Sequence, residues 1–316
     1  MTISQEMLRA ARRATKLLAD PAATARYFAS RQLDHGGFAD RAGKSDLYYS
    51  VFGLLGMRAL GDDAPAPPGE AVRWAARADK AAAYLRSFAA GDGLDMLHLA
   101  CLARCWASLP RDSAEAPPAG LRRGVLERLG RCRTDDGGWA LRPGEPFGSA
   151  YGCFVALGAL QDVGAAPTDA ERASVARCLA GLRLPNGSYA NGRNLPVGSA
   201  PATAAAATVL CHLGLPVPEG TAGWLAAQHR AGGGFAAIPL APQPDLLSTA
   251  TAVHALRLMG ADLEAIAEPC LRFVQSLHRG GGFAGHTGDP TADCEYTFYA
   301  LLALGDLAAP GRAAGD

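Results

Sequence analysis

Gly36-Gly37-Phe38, Gly137-Gly138-Trp139, Gly233-Gly234-Phe235 and Gly281-Gly282-Phe283 punctuate this sequence. Asn186-Gly187-Ser188-Tyr189 is a weaker copy of the same turn, and Gly91-Asp92-Gly93-Leu94 a degenerate one. Counted together they mark six units with a period of about fifty residues, and a fixed period of this kind signals a repeat architecture.

Each turn leads through a short loop to a polar residue and then a long, nearly uncharged run. The polar residues are read as Asp46, Asp95, Glu145, Ser199, Asp245 and Asp293, with Ser50, Leu99, Ser149, Thr203, Thr249 and Thr297 four residues on. A capping side chain before an apolar run that ends at glycine, as at Gly61, Gly214 and Gly260, is a helix start and stop signal. Ahead of the turns lie stretches with apolar residues at helical spacing between charges: 71–89, 122–129, 169–183, 220–230 and 263–278. These predict helices with one wet face, whereas runs such as Thr251–Met259 and Phe298–Leu304 are apolar all round and predict enclosed helices. The expectation is an all-α fold, an α/α toroid of six outer–inner hairpins. It forms one domain over residues 1–316, with turns near 36, 91, 137, 187, 233 and 281. Proline-rich pieces at 62–69 and 110–118 read as interhelix loops, and the tail from Ala308 as disordered.

Composition narrows the function classes. The formal net charge is zero and the only lysines are Lys16, Lys44 and Lys80, which argues against a nucleic-acid partner, since that needs a basic surface. Eight cysteines occur without a Cys-x-x-Cys pair, a usage that predicts a reduced, cytoplasmic location. Residues 1–20 are charged and amphipathic, unlike a secretory signal. The uncharged stretch 195–218 is rich in Ala, Gly and Pro and keeps the repeat register, so it reads as the fourth inner helix and not as a membrane span.

The Gly-Gly-aromatic turns, Asp245-Leu246-Leu247-Ser248-Thr249 and Asp293-Cys294-Glu295-Tyr296-Thr297-Phe298-Tyr299 resemble the repeat of the prenyltransferase beta-subunit and squalene-cyclase superfamily. That resemblance implies a six-hairpin barrel with an apolar pocket for isoprenoid-like chains. It leaves the chemistry to the site residues. The Asp-x-Asp-Asp acid motif of class II cyclases and an Asp-Asp-x-x-Asp metal–diphosphate motif are both absent. Asp62-Asp63 and Asp135-Asp136 do not match either. The zinc set of protein prenyltransferases fails too: with Asp245 as its Asp, Leu247 replaces the Cys and Tyr296 the His. With Asp293 and Cys294 as the pair, no later unit remains to supply the His. No cofactor is therefore assigned, zinc and magnesium motifs both being incomplete. An alpha-type helical partner subunit remains an implication of the prenyltransferase branch.

Counting from the cap as zero, positions two, three, six and seven of each inner helix are expected to face one way. That selects Tyr48, Tyr49 and Phe52 in unit one, His98 and Cys101 in unit two, Phe147 and Tyr151 with Phe154 in unit three, Thr251 with His254 in unit five, and Glu295, Tyr296 and Tyr299 in unit six. Units six and one become neighbours on ring closure, which predicts an aromatic wall suited to a cation or to a neutral lipid chain. Glu295 is the acid displaced from the cap into the inward-facing turn, and burial there raises its pKa. Asp293 reads as a cap or an acid, and His254 and His98 as core residues or proton relays. His286, Asp289, Asp293 and Cys294 crowd one loop without a zinc spacing. Three functions follow: a cyclase or transferase acting on an isoprenoid or polyene, a prenyltransferase-like beta subunit, and a non-catalytic toroid that binds a lipid or a protein.

Overall fold

A computed structural model describes residues 1–61, 74–110 and 116–309. The proline-rich piece 62–69 and Asp62-Asp63 lie outside these, as do most of 110–118 and the tail from 310. Thirteen helices fill the described residues. They are α1 (Ile3–Arg12), α2 (Pro21–Arg31), α3 (Leu47–Leu60), α4 (Trp74–Arg86), α5 (Met96–Ser108), α6 (Leu121–Arg131), α7 (Ala150–Asp162), α8 (Asp169–Leu182), α9 (Ala200–His212), α10 (Thr221–Ala226), α11 (Leu246–Leu258), α12 (Glu264–Ser276) and α13 (Cys294–Leu307). The inner helices α3, α5, α7, α9, α11 and α13 each pack on the next, and α13 returns to α3, so the ring is closed. The even-numbered helices α2 to α12 form the outer layer. The fold is the expected α/α toroid.

The caps explain where the inner helices begin. Asp46, Asp95, Ser199, Asp245 and Asp293 each accept a backbone N–H from the first turn of the helix they start. Unit three departs from the sequence reading: its cap is Ser149, whose Oγ accepts from Gly152 N–H, and Glu145 is exposed in the loop before it.

The hydroxyl four residues past the cap ties turn to helix. Ser50, Thr203, Thr249 and Thr297 accept the aromatic residue's N–H from Phe38, Tyr189, Phe235 and Phe283 at 2.9–3.0 Å. Ser50, Thr249 and Thr297 also donate to the cap carbonyl. Phe283 pairs with Asp293 across a small sheet of β1 (His278–Arg279), β2 (Gly282–Ala284) and β3 (Ala292–Asp293). The first glycine of the turn has a second reason. Gly36 has φ +99°, and a Cβ there would fall inside the carbonyl of Lys80 on α4; the turns at Gly137, Gly233 and Gly281 abut α8, α12 and α2 in the same way, while Gly91 of the degenerate turn meets Leu99 of α5.

One element has no counterpart among the six hairpins. Helix α1 starts in a Thr2/Gln5 capping box and lies across the C-terminal ends of the inner helices. Ile3 N–H donates to Gln161 and Ser4 Oγ to Asp162 at the end of α7. Glu6 sits 2.7 Å from His212 at the end of α9. Just past α1, Arg13 donates to the Gly305 carbonyl and the Asp306 carboxylate near the end of α13. This helix closes one end of the barrel. All eight cysteines are free, and among the described residues no helix is long and apolar enough to cross a membrane.

Candidate active site

The ring encloses a cavity of about 390 Å³, within the usual range for small-molecule sites. Its lining follows a rule. Apart from Met7, contributed by α1, every lining residue stands two, five, six or nine residues after its cap. Position two gives Tyr48, Leu97, Tyr151, Pro201 and Leu247. Positions five and six give Val51, Phe52, Ala100, Cys101, Phe154, Val155, Ala204, Ala205, Thr251 and Tyr299. Position nine gives Leu55, Arg104, Thr208, His254 and Leu302. On a helix of 3.6 residues per turn these offsets form one stripe.

Eight residues selected from sequence line this cavity: Tyr48, Phe52, Cys101, Tyr151, Phe154, Thr251, His254 and Tyr299. The others are elsewhere, for two reasons. Tyr49, His98 and Tyr296 stand at position three, about 100° around the helix from position two, and the correct inner positions are two, five, six and nine. His98 is at the rim, its Nδ1 2.9 Å from Asp95, while Tyr296 lies under the guanidinium of Arg41, 5.4 Å from the ring centre. Phe147 precedes the true cap of its unit. It is 41% exposed and stacks with Arg193.

The aromatic wall forms across the seam between units one and six, with three of its five expected members on the cavity. Phe52 meets Tyr48 edge to face at 5.0 Å and Tyr299 at a tilt at 5.5 Å, ring centre to ring centre. Beside it, Tyr48 Oη donates to Glu295 Oε1 at 2.6 Å. Glu295 occupies position two of α13, the equivalent of Tyr48 in α3, and reaches the cavity through this bond. Burial raises its carboxyl above the ordinary 4.5, against the lowering effect of the Tyr48 hydrogen bond. Elsewhere on the cavity, burial pushes the Cys101 thiol and the Tyr151 phenol up to about 12.

Asp293 is bound up in structure: it caps Tyr296 N–H and pairs with Arg41 Nε at 2.6 Å. Arg41 also holds Asp289 at 2.9 Å, and His286 meets Gln243. Cys294 is fully buried. Asp289 and Asp293 are thus tied to one guanidinium and His286 to Gln243, and no cluster of three His, Cys, Asp or Glu among the described residues could hold a metal. The zinc set implied by the prenyltransferase resemblance does not fit this chain.

At the end closed by α1, His254 Nδ1 lies 2.8 Å from Asp306 Oδ2, and Arg13 holds the other carboxylate oxygen at 3.1 Å. His254 Nε2 is buried and has no hydrogen-bond partner. Asp306 escaped the sequence reading because it lies past the sixth unit's early closing glycine. A buried aspartate at the end of an apolar run was the available signal.

The family model of the prenyltransferase alpha-alpha toroid domain matches residues 3–76, 97–197 and 203–309. Among solved structures, a variant of the type II terpene cyclase MstE from Scytonema, bound to geranylgeranyl dihydroxybenzoate, superposes with a TM-score of 0.59. It is 13% identical, over 96% of this chain and 97% of that one. A protein from Actinoplanes gives a TM-score of 0.56 at 16% identity, over 92% of this chain and all of the other. Likeness at such identity is likeness of fold. No curated protein matches in sequence. With the family model spanning most of its length, the chain belongs to the prenyltransferase alpha-alpha toroid family.

Proposed function

We propose that this protein is an enzyme that processes an isoprenoid-like or polyene chain by acid–base catalysis. The Glu295–Tyr48 pair is the proton donor and His254 the acceptor. The observation that carries this reading is the half-buried Glu295 carboxyl joined to a cavity-lining hydroxyl at 2.6 Å. A carboxyl with a raised pKa retains its proton where an exposed one is ionised.

On substrate binding the Tyr48 O–H turns from Glu295 toward the substrate and the protonated Glu295 donates to Tyr48 Oη in its place, so that Glu295 passes its proton to Tyr48 as Tyr48 passes its own to the substrate. A C–H bond forms from the π pair of an alkene and leaves a cation on its other carbon, or an O–H bond forms on an epoxide oxygen as its C–O bond breaks to leave the cation, and Glu295 is left as carboxylate. The electron pair of the next double bond then forms the ring C–C bond and moves the positive charge along the chain. The faces of Tyr48, Phe52, Phe154 and Tyr299 stabilise that charge by about 0.5–2 kcal/mol each when water is excluded. His254, held through Nδ1 by Asp306, accepts the final C–H proton on Nε2 and restores a double bond. An epoxide or other activated group suits a single carboxylic acid better than an isolated alkene. Prenyl transfer from a diphosphate is less well served, because Arg104 is the only cation lining the cavity among the described residues.

The test is turnover of a panel of polyprenyl chains and their terminal epoxides, with products read by mass spectrometry. Glu295→Gln is expected to retain chain binding and lose about 10²–10⁴-fold in rate. Wild-type turnover in that variant would remove Glu295 from the mechanism. Chain binding without turnover in the wild type would favour the non-catalytic toroid.

A further inference from the structure

We propose that the closed end of the cavity is a subsite for a carboxylate head group, built on Arg104. The chain would thus be bound head-down, with its tail toward Glu295. This rests on the reading of the cavity as a substrate site, and it adds the polarity and orientation of the substrate.

Arg104 stands nine residues past its cap, at the level of Leu55, Thr208, His254 and Leu302. Its Nε donates to Asp162 Oδ2 at 2.8 Å, and Ser4 of α1 donates to the other oxygen of that carboxylate at 2.8 Å. The guanidinium is therefore braced from below. Neither terminal nitrogen has a hydrogen-bond partner among the described residues, although only 14% of the side chain is exposed and the residue lines the cavity. Room for it is left by Gly158 of α7, where a Cβ would collide with Nη2.

Two features identify what this arrangement takes. Donors without acceptors are costly in apolar surroundings, and the terminal nitrogens of Arg104 face a largely apolar chamber. The free edge of a guanidinium presents two parallel N–H groups, a geometry that matches a carboxylate and that lysine does not reproduce. At the same level lies the buried, unpartnered Nε2 of His254, while the phenols of Tyr151 and Tyr299, at positions two and six, feel both Glu295 and Arg104. The cavity thus has a polar floor and apolar walls. Position two and position nine are seven residues apart, about 10 Å along the helix axes. A folded prenyl chain with its carboxylate on Arg104 then places its far end at the Tyr48–Glu295 pair.

Binding of farnesoic acid, farnesol and farnesyl diphosphate to the purified protein, followed by titration calorimetry, tests the assignment without any need for turnover. The acid is expected to bind about tenfold or more tighter than the alcohol, the gain from charge-assisted hydrogen bonds. Arg104→Lys, which keeps the charge beside Asp162, should lose most of that preference. The double variant Arg104→Met/Asp162→Asn, which leaves no buried charge unpaired, should abolish it, with folding checked by circular dichroism. Glu295→Gln should leave the preference intact. Equal binding of acid and alcohol by the wild type would overturn the subsite, as would tighter binding of the diphosphate. A preference that survives the double variant, or that disappears with Glu295→Gln, would overturn the orientation. An acid preference without turnover of any chain would retain the subsite and reject the enzyme reading.

Discussion

Replacing Thr297 by valine tests why a hydroxyl recurs four residues past the cap. Thr297 is fully buried. It accepts Phe283 N–H at 3.0 Å and donates to the Asp293 carbonyl at 2.5 Å. Valine keeps the shape and removes both bonds. Phe283 is itself buried, so its N–H is left without a partner, at a cost of about 1–3 kcal/mol, and the lost donation adds about 1 kcal/mol. The expected destabilisation is about 2–4 kcal/mol. At about 2.1 cal/mol/K of unfolding entropy per residue, a chain of 316 residues loses about 3–6 °C in Tm. Thermal unfolding by far-ultraviolet circular dichroism gives the number, and Thr297→Ser, which keeps the hydroxyl, is the control. A valine variant within about 0.5 kcal/mol of wild type, or a serine variant as damaged as the valine one, would refute the bridging role.

Ala205→Phe, at position six of α9 on the cavity wall, should block binding of a prenyl chain while leaving Tm near the wild-type value; unchanged binding would mean that the chain binds elsewhere. Gly305→Ala would drive a Cβ into the Ala10 carbonyl of α1, so a loss of about 1–3 kcal/mol is expected, with faster proteolysis within residues 1–16. Glu295 titrates above its ordinary value. Its neutral form therefore favours folding at low pH, and that contribution falls as pH rises from the unfolded pKa through the raised folded one. The Tm of Glu295→Gln relative to wild type should accordingly climb across that interval, and a pH-independent difference would contradict the burial of this carboxyl.

Much of the architecture was legible because its signals are local. A turn glycine, a cap and a hydroxyl four residues on each satisfy a nearby backbone group, so they recur with the period. Unit three shows how such a reading slips. Glu145 is polar and precedes Phe147, but Ser149 shares the Gly-Ser-Ala context of Ser199 and lies eleven residues past the second glycine of its turn, as Asp245 and Asp293 do in theirs. The constant distance was in the sequence and outranked polarity. Tyr49, His98 and Tyr296 were misplaced by a rotation: whether position three or position nine faces inward depends on how the inner helices turn about their own axes, which packing decides. Arg104 and Asp162 meet through contacts between α5 and α7, and α1 finds its place through Gln161, His212 and Asp306. No local pattern encodes those meetings.

The closure by α1 has a consequence for how the chain reaches its native state. Arg13 and Gly305 are 292 residues apart in sequence, and the contact of α13 with α3 closes the ring over a similar distance. Neighbouring hairpins can form as they are synthesised, but α1 has no complete surface to dock on until α13 exists. For a helical protein these are contacts of high sequence separation, and they wait until α13 has been synthesised. Until then the apolar face of α1, with Ile3, Met7 and Leu8, has α3 and α7 to pack on but lacks the cover that α13 supplies. A chaperone that binds α1 would therefore act on the yield of folded protein more than on its final stability.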